Sequence, residues 1–473
     1  MSSKPFWLLI VLASFSLSCT PDPITVFQNV NLVPMTDEKT VKNQTVLIKG
    51  TKIVEIGLSN ETAIPEHAKL IDGSGSYLMP GLADMHMHTR DDWLSPASWP
   101  VSPFHLYLAN GVTTVRCFGP LGKSANYILI WRDAINKGTL SGPAVITCGP
   151  ILYGPVKEPQ RAVRDQKAQG YDFVKLYSFL SKDEFHQAMK AARKLDMYTA
   201  GHIPFSVGLD GVLSEGMDEI AHIEELDFEF IDFDRNGKRG RTEWFRYILH
   251  TADQQYKTMF GHDMGNIERE YGKVISAAVD KLRMKHVPVC TTLVVGEGIV
   301  EKLHNTDAFL VRPENRYLPR WYLDMFRKGK EKHQRIFKGY EDFAPFKYNL
   351  EILLLKKLKQ AGIPLLLSTD AGTGGMGIVP GFSIHDELRI LIENGFSPYE
   401  AIAAGTVNAS KVIQAITGAD DFGTIEVGKR ADLLLVEENP LDNVAGIKNL
   451  RGVMAAGRWY PKAKLQEMIA LKK

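Results

Sequence analysis

Two histidines one residue apart, His86 and His88, close the run Pro80-Gly81-Leu82-Ala83-Asp84-Met85-His86-Met87-His88. On an extended strand, residues i and i+2 share a face, so both imidazoles project into one space. Alone, such a pair is common and carries little. Four more polar residues end or interrupt apolar runs. Lys175 lies in Phe173-Val174-Lys175-Leu176-Tyr177, and His202 follows Tyr198-Thr199-Ala200-Gly201. His222 follows Glu219-Ile220-Ala221, and Asp370 follows Leu365-Leu366-Leu367-Ser368-Thr369. Each is costly to bury without a partner. Any one of the histidines, taken singly, reads as a satisfied core residue. Gathered at the ends of several strands, they read as one set of imidazole and carboxylate donors of the kind that holds zinc.

Such a set needs elements that bring distant residues to one end. Runs of strand character recur at 77–88, 111–118, 144–152, 172–177, 197–204, 219–226, 287–295 and 363–372, with helical patterns such as 188–195 and 350–361 between them. Eight alternations predict a (β/α)8 TIM-like barrel, whose sites lie at the C-terminal ends of its strands. Short β-branched runs near both ends, at 25–27, 45–48 and 52–56 and again at 432–436 and 453–455, predict that the termini share a small sheet domain. The expected division is a signal or lipoprotein segment at 1–19, a β-sandwich from 20–75 and 422–473, and the barrel that carries the metal donors at 76–421. Segments 227–272 and 300–349 exceed what a barrel requires. They read equally as lids or substrate walls over the site and as solvated helical insertions or an oligomer contact.

The 473 residues, 44% of them hydrophobic, are ample for one large domain and a smaller one. Lys and Arg number 56 against 55 Asp and Glu, a net charge of +1 that argues against a nucleic-acid binder. Four scattered cysteines form neither a disulfide framework nor a zinc ribbon. The start, Met-Ser-Ser-Lys followed by an apolar run over 6–17, has the form of a secretory signal and is short for a bilayer span. Cys19 before Thr-Pro-Asp resembles a bacterial lipoprotein site, although Ser16 occupies the position where Leu is usual. The expectation is an exported bacterial protein, periplasmic or anchored to a membrane only through a lipid on Cys19.

The pattern resembles the amidohydrolase superfamily over nearly the whole chain after the signal segment. The resemblance rests on the Pro-Gly-Leu-Ala-Asp-x-His-x-His run and on Gly111-Val112-Thr113-Thr114-Val115-Arg116. It rests equally on Ser368-Thr369-Asp370 and on Gly423-Thr424-Ile425-Glu426-Val427-Gly428-Lys429-Arg430-Ala431-Asp432-Leu433. Lys175 and Gly201-His202-Ile203-Pro204 look most like the imidazolonepropionase-related, prolidase-like dipeptidase branch. Cys117 departs from the Asp that many relatives carry there, which bears on packing or loop anchoring rather than on metal binding. The resemblance implies two divalent ions, zinc by ligand type, one held by His86, His88 and Asp370 and the other by His202 and His222. It implies that Lys175 bridges them as a carbamate formed with carbon dioxide. It implies cleavage of a carbon–nitrogen amide bond by a metal-bridging hydroxide, with Asp370 as the proton carrier, and an expectation of a homo-oligomer.

The substrate is less legible. A dipeptide or N-acyl amino acid presents a carboxylate, for which arginine is the natural partner. Arg239, Arg241, Arg312, Arg316 and Arg320 lie in the two long insertions. Tyr177, two residues beyond Lys175, is a candidate catalytic donor to the scissile carbonyl, with Tyr153 behind it. The same donors also suit a lactone, ester or phosphotriester hydrolase. A non-catalytic surface-binding lipoprotein is the alternative of another class, disfavoured because all six metal-site residues are present.

Overall fold

The computed structural model describes residues 24–122, 125–237, 239–372 and 376–471, so the signal segment and Cys19 lie outside the described residues. The strand-like ends of the chain do meet. Arg458–Pro461, Leu450–Ala455, Leu433–Val436, Tyr77–Pro80, Ile24–Leu32, Val41–Lys49 and Lys52–Leu58 form one sheet in that order, with Lys69–Asp72 also paired to Ile24–Leu32. Leu433–Val436 is apolar throughout for a physical reason. Leu433 and Leu435 join the core of this sheet, whereas Leu434 and Val436 join the main core on the other face. A strand buried on both faces has no polar side to show.

The run expected as one strand over 77–88 is divided at Gly81. Tyr77–Pro80 pairs antiparallel with Leu433–Val436, and Leu82–Arg90 enters a parallel sheet. Only glycine fits at the division, because a Cβ there would overlap the Thr113 side chain. Leu82–Arg90, Val112–Leu121 and Ala144–Thr147 form a three-stranded parallel sheet. Phe173–Leu176, Tyr198–Gly201, Glu219–Ile220, Val289–Cys290 and Leu365–Leu366 form a five-stranded one. Parallel bridges join the two sheets at both seams: Cys148 with Phe173 and Leu152 with Leu176 on one side, Met87 with Ala371 on the other.

Helices cover the parallel strands. Lys182–Lys194 is a clear case: Ser181 and Glu184 close a capping box, and Phe185, Ala188, Met189 and Ala192 form its buried stripe at helical spacing. The later strands are shorter than their apolar runs, because the chain turns away as soon as its functional residue has been placed. The run at 219–226 ends as strand at Ile220 and becomes the 3-10 helix Ile223–Glu229 directly after His222. The long insertions form helices, including Arg241–Phe260 and Lys332–Ile336.

Beneath the strand ends lies a buried ion pair. Arg116 donates through Nε to the Met85 carbonyl at 2.8 Å and through Nη1 to Glu219 Oε2 at 2.7 Å. Its Nη2 also reaches Glu219. Glu219 further accepts from Tyr198 at 3.1 Å and Cys290 at 3.2 Å, so the pair ties together five strands, three of them reached by the carboxylate itself besides its own. Removing one partner strands the other's charge in the interior. Arg116→Met is expected to destabilise the fold by about 3–5 kcal/mol in denaturant unfolding, and Arg116→Met with Glu219→Met to recover most of that. A single-variant loss below about 1 kcal/mol would show the pair to be dispensable.

Candidate metal centre

The C-terminal ends of the parallel strands carry the predicted donors. His86 and His88 come from Leu82–Arg90 and Lys175 from Phe173–Leu176. His202, His222 and Asp370 follow Tyr198–Gly201, Glu219–Ile220 and Leu365–Leu366. Asp370 is placed by its backbone. It takes the left-handed conformation, φ 56°, and its N–H donates to the His86 carbonyl at 2.7 Å. Asp84, within the first motif, sets this register. It accepts from Thr369 Oγ1 at 2.6 Å, Thr369 N at 3.1 Å and His86 N at 3.3 Å, and burial pushes its carboxyl up to about 7. Gly201 is required where these strands approach, because a Cβ would collide with the Leu176 carbonyl.

His86, His88 and Asp370 each offer a ligand atom within 4.8 Å of the others. Asp370 Oδ1 lies 3.1 Å from His88 Nε2 and 3.6 Å from His86 Nε2. The far side of each ring decides what faces inward. His86 Nδ1 is 3.0 Å from the Ala221 carbonyl and His88 Nδ1 is 3.1 Å from the Gly119 carbonyl. A carbonyl only accepts, so each Nδ1 carries the proton and each Nε2 presents a lone pair. Three acceptors thus converge, and Asp370 Oδ1 has no hydrogen-bond partner among the described residues. Two lone pairs and an orphaned carboxylate oxygen fit a divalent cation, and rings held from behind are the usual support of metal-binding histidines.

His202 and His222 stand beside this cluster rather than within it. The His222 ring centre is 4.4 Å from that of His86 and 4.8 Å from that of His202. Their outer nitrogens are also engaged, His202 Nδ1 with Ser178 Oγ at 2.9 Å and with the Glu225 carboxylate, His222 Nδ1 with Thr292 Oγ1 at 3.0 Å. Burial pushes the His86 and His202 imidazoles well below their ordinary value and His222 down to about 3, with Lys175 and neighbouring histidines adding to it. All three are therefore neutral donors near neutral pH.

Lys175 is fully buried. Its Nζ lies 3.5 Å from His86 Nε2 and 4.6 Å from the centre of the Phe118 ring, on which His86 stacks at 4.0 Å. Burial brings its pKa down to about 8, against the opposing pull of Asp370. Tyr177 packs 4.1 Å from His202 and 4.7 Å from Tyr153, and burial holds its hydroxyl well above the ordinary value. Cys117 contacts Thr89 Oγ1 at 3.4 Å, outside the donor cluster.

These residues floor a cavity of about 210 Å³ that His88, Tyr153, Tyr177, His202, His222 and Asp370 all line. Its other walls come from the two insertions, which resolves their ambiguity. Phe245 and Leu249 face it from the first, and Lys332, His333, Ile336 and Phe337 from the second. None of the expected arginines lines it. Arg241 donates to the Gly154 carbonyl at 3.0 Å and Arg312 pairs with Glu301. Arg239 covers the Tyr247 ring at 3.7 Å and Arg316 covers Tyr317 at 5.0 Å, while Arg320 opens the helix Arg320–Arg327 away from the cavity lining. Glu225, Ser178, Thr292 and Phe118 were not legible as site residues, since their roles depend on contacts between strands; Asp84 stands in the first motif, but its role too appears only in the structure.

Residues 346–460 match the Amidohydrolase family. A dihydroorotase of Trichlorobacter lovleyi is 33% identical over 110 residues, 23% of this chain and 25% of that protein. An imidazolonepropionase of a Geobacillus species is 34% identical over 116 residues, 22% of this chain and 26% of that protein. The chain is thus aligned with about a quarter of the length of each of these curated relatives. A crystal structure of a Xaa-Pro dipeptidase with bound methionine superposes with a TM-score of 0.64 at 19% identity, covering 93% of this chain and 100% of that one. The resemblance to the amidohydrolases that the motifs carry is borne out, and the fold is that of the prolidase-like structures.

Zinc at a hundredfold excess over its dissociation constant is expected to stabilise the protein by about 2.7 kcal/mol, read as a rise in Tm. His88→Asn is expected to lose most of that rise. Equal rises in both proteins would remove His88 from the centre.

Proposed function

We propose that the protein is an exported, metal-dependent amidohydrolase that cleaves a carbon–nitrogen amide bond in a dipeptide, an N-acyl amino acid or a cyclic amide. The observation that carries this reading is the convergence of His86, His88 and the orphaned Asp370 oxygen, with buried Lys175 beside them, on the floor of a lined cavity. The family match and the curated relatives support hydrolysis at carbon–nitrogen bonds. The two parallel sheets, bridged at both seams, are read as one (β/α)8 barrel, and the sheet of both termini as the small β-domain beside it. Export and lipidation at Cys19 rest on the sequence of residues 1–19.

His86, His88 and Asp370 would hold one ion, and His202 and His222 a second. Divalent ions here, zinc by donor type, lower the pKa of bound water and polarise a carbonyl. The residues supply the rest. Lys175, brought to about 8 by burial, is in part a neutral amine near pH 7. It can add to carbon dioxide, releasing a proton and leaving an anionic carbamate whose oxygens suit both ions. Asp370 would take a proton from the attacking water and return it to the leaving nitrogen. Tyr177 keeps its hydroxyl proton and would donate a hydrogen bond to the scissile carbonyl. Glu225 and Ser178 fix the His202 ring from behind.

Mature protein supplied with zinc and bicarbonate is expected to release amine from a cluster of related members of a dipeptide and N-acyl amino acid library, and Lys175→Ala to release none. Silence across the library and across cyclic amides would reject the amide reading and turn attention to lactones and esters. Asp370→Asn is expected to lose about 10²-fold or more in kcat, the scale of general acid–base catalysis. Near-normal turnover would take Asp370 out of the proton transfer.

A further inference from the structure

The cavity's charges are settled on one side and unsettled on the other. Glu224 lines it but is paired with Lys347 at 3.0 Å. Lys347 in turn faces Asp227 at 3.3 Å and Glu351 as well, so its charge is fully answered. Glu225 is committed to His202 and to the Ile203 N–H. Across the cavity stands Lys332, an exposed lysine that also lines it. Its ammonium lies 5.8 Å from the centre of the Phe245 ring, and it forms no ion pair among the described residues. Among the described residues it is the one cavity-lining lysine whose charge no carboxylate answers.

His333, next in sequence, is held quite differently. It is buried, and its Nδ1 lies 2.6 Å from Lys302 Nζ. An ammonium has protons and no lone pair, so Nδ1 accepts. Glu331 Oε1 lies farther from the same nitrogen, at 3.3 Å, and takes its own proton from Lys302. Nε2 must then carry the ring proton, and it has no partner among the described residues. Burial and the Lys302 charge push the imidazole down to about 4, which keeps this tautomer neutral. Lys302 is itself immobile. It is buried, with its third contact to the Met376 carbonyl at 2.9 Å.

We infer that Lys332 and His333 form the subsite for a substrate carboxylate, the Lys332 ammonium taking one oxygen and the His333 Nε2–H the other. This rests on the amide-hydrolase reading and narrows it. The substrate is an N-acyl amino acid or dipeptide with a free carboxylate and an apolar group set against Phe245, Leu249, Ile336 and Phe337. One mobile cation and one fixed neutral donor match a monoanion. Lys302 acts as the positioning residue behind them. The lysine and histidine thus take the role for which the insertion arginines were candidates.

The test is binding and turnover of N-benzoyl-L-alanine against its carboxamide. Calorimetry on the zinc-loaded protein is expected to show the acid binding about tenfold or more tighter than the amide, the scale of one charge-assisted hydrogen bond. Lys332→Met is expected to erase that preference and Lys332→Arg to keep it. His333→Asn leaves an acceptor for Lys302 and removes the Nε2 donor, and is expected to lower the preference while the protein stays folded. In turnover these losses are expected in KM with kcat largely kept. Equal binding of acid and amide, no binding of either, or a preference that survives Lys332→Met would overturn the subsite. Preferential acid binding without hydrolysis would keep the subsite, and only silence across the dipeptide, N-acyl amino acid and cyclic-amide library would then reject the hydrolase reading.

Discussion

A lysine amine is buried among neutral imidazoles and over an aromatic ring, with no carboxylate paired to it among the described residues. That arrangement is the constraint around which the strand ends are built. A charged ammonium there is desolvated and has no carboxylate paired to it among the described residues, so burial drives it toward the free amine. The histidines respond to the same desolvation by staying neutral. The outcome is a layer rich in lone pairs and poor in protons, a state that a protein interior tolerates when cations complete it.

The layer holds its geometry because every ring is gripped from behind. Backbone carbonyls fix His86 and His88, and side chains fix His202 and His222. Asp84 locks the first parallel strand to the last by binding Thr369, which sets the distance between His86 and Asp370. Below, Phe118 separates this layer from the Arg116–Glu219 pair, whose guanidinium lies 4.6 Å from the same ring. Two polar systems are thus stacked in one interior with an aromatic plate between them.

The donors were legible because strand periodicity is local. His86 and His88 share a face whatever the rest of the chain does, and a polar residue ending an apolar run announces itself. The pairing of both termini was legible for the same reason, as β-branched runs between turn residues. The lengths of the later strands were not. Glu219–Ile220 and Leu365–Leu366 are cut short by tertiary demands that apolar composition does not record. The insertion arginines could be named as candidates but not aimed, because charge type says nothing of direction: Arg241 and Arg312 are consumed by a carbonyl and a carboxylate within the walls. Lys332 gave no signal of its own. Its standing comes from the carboxylates it lacks, which only the three-dimensional arrangement displays.

The antiparallel seam between Tyr77–Pro80 and Leu433–Val436 has a bearing on how the molecule is made. A nascent chain emerges from its amino end, so Leu78 and Met79 must wait for residue 436 before this edge is covered. Until then an apolar strand edge stands open, the kind of surface that invites pairing with other chains. Contacts of such sequence separation form late and slowly. Assembly therefore finishes with its final strands, and a chain truncated before them would leave an adhesive edge beside a fully synthesised ligand layer.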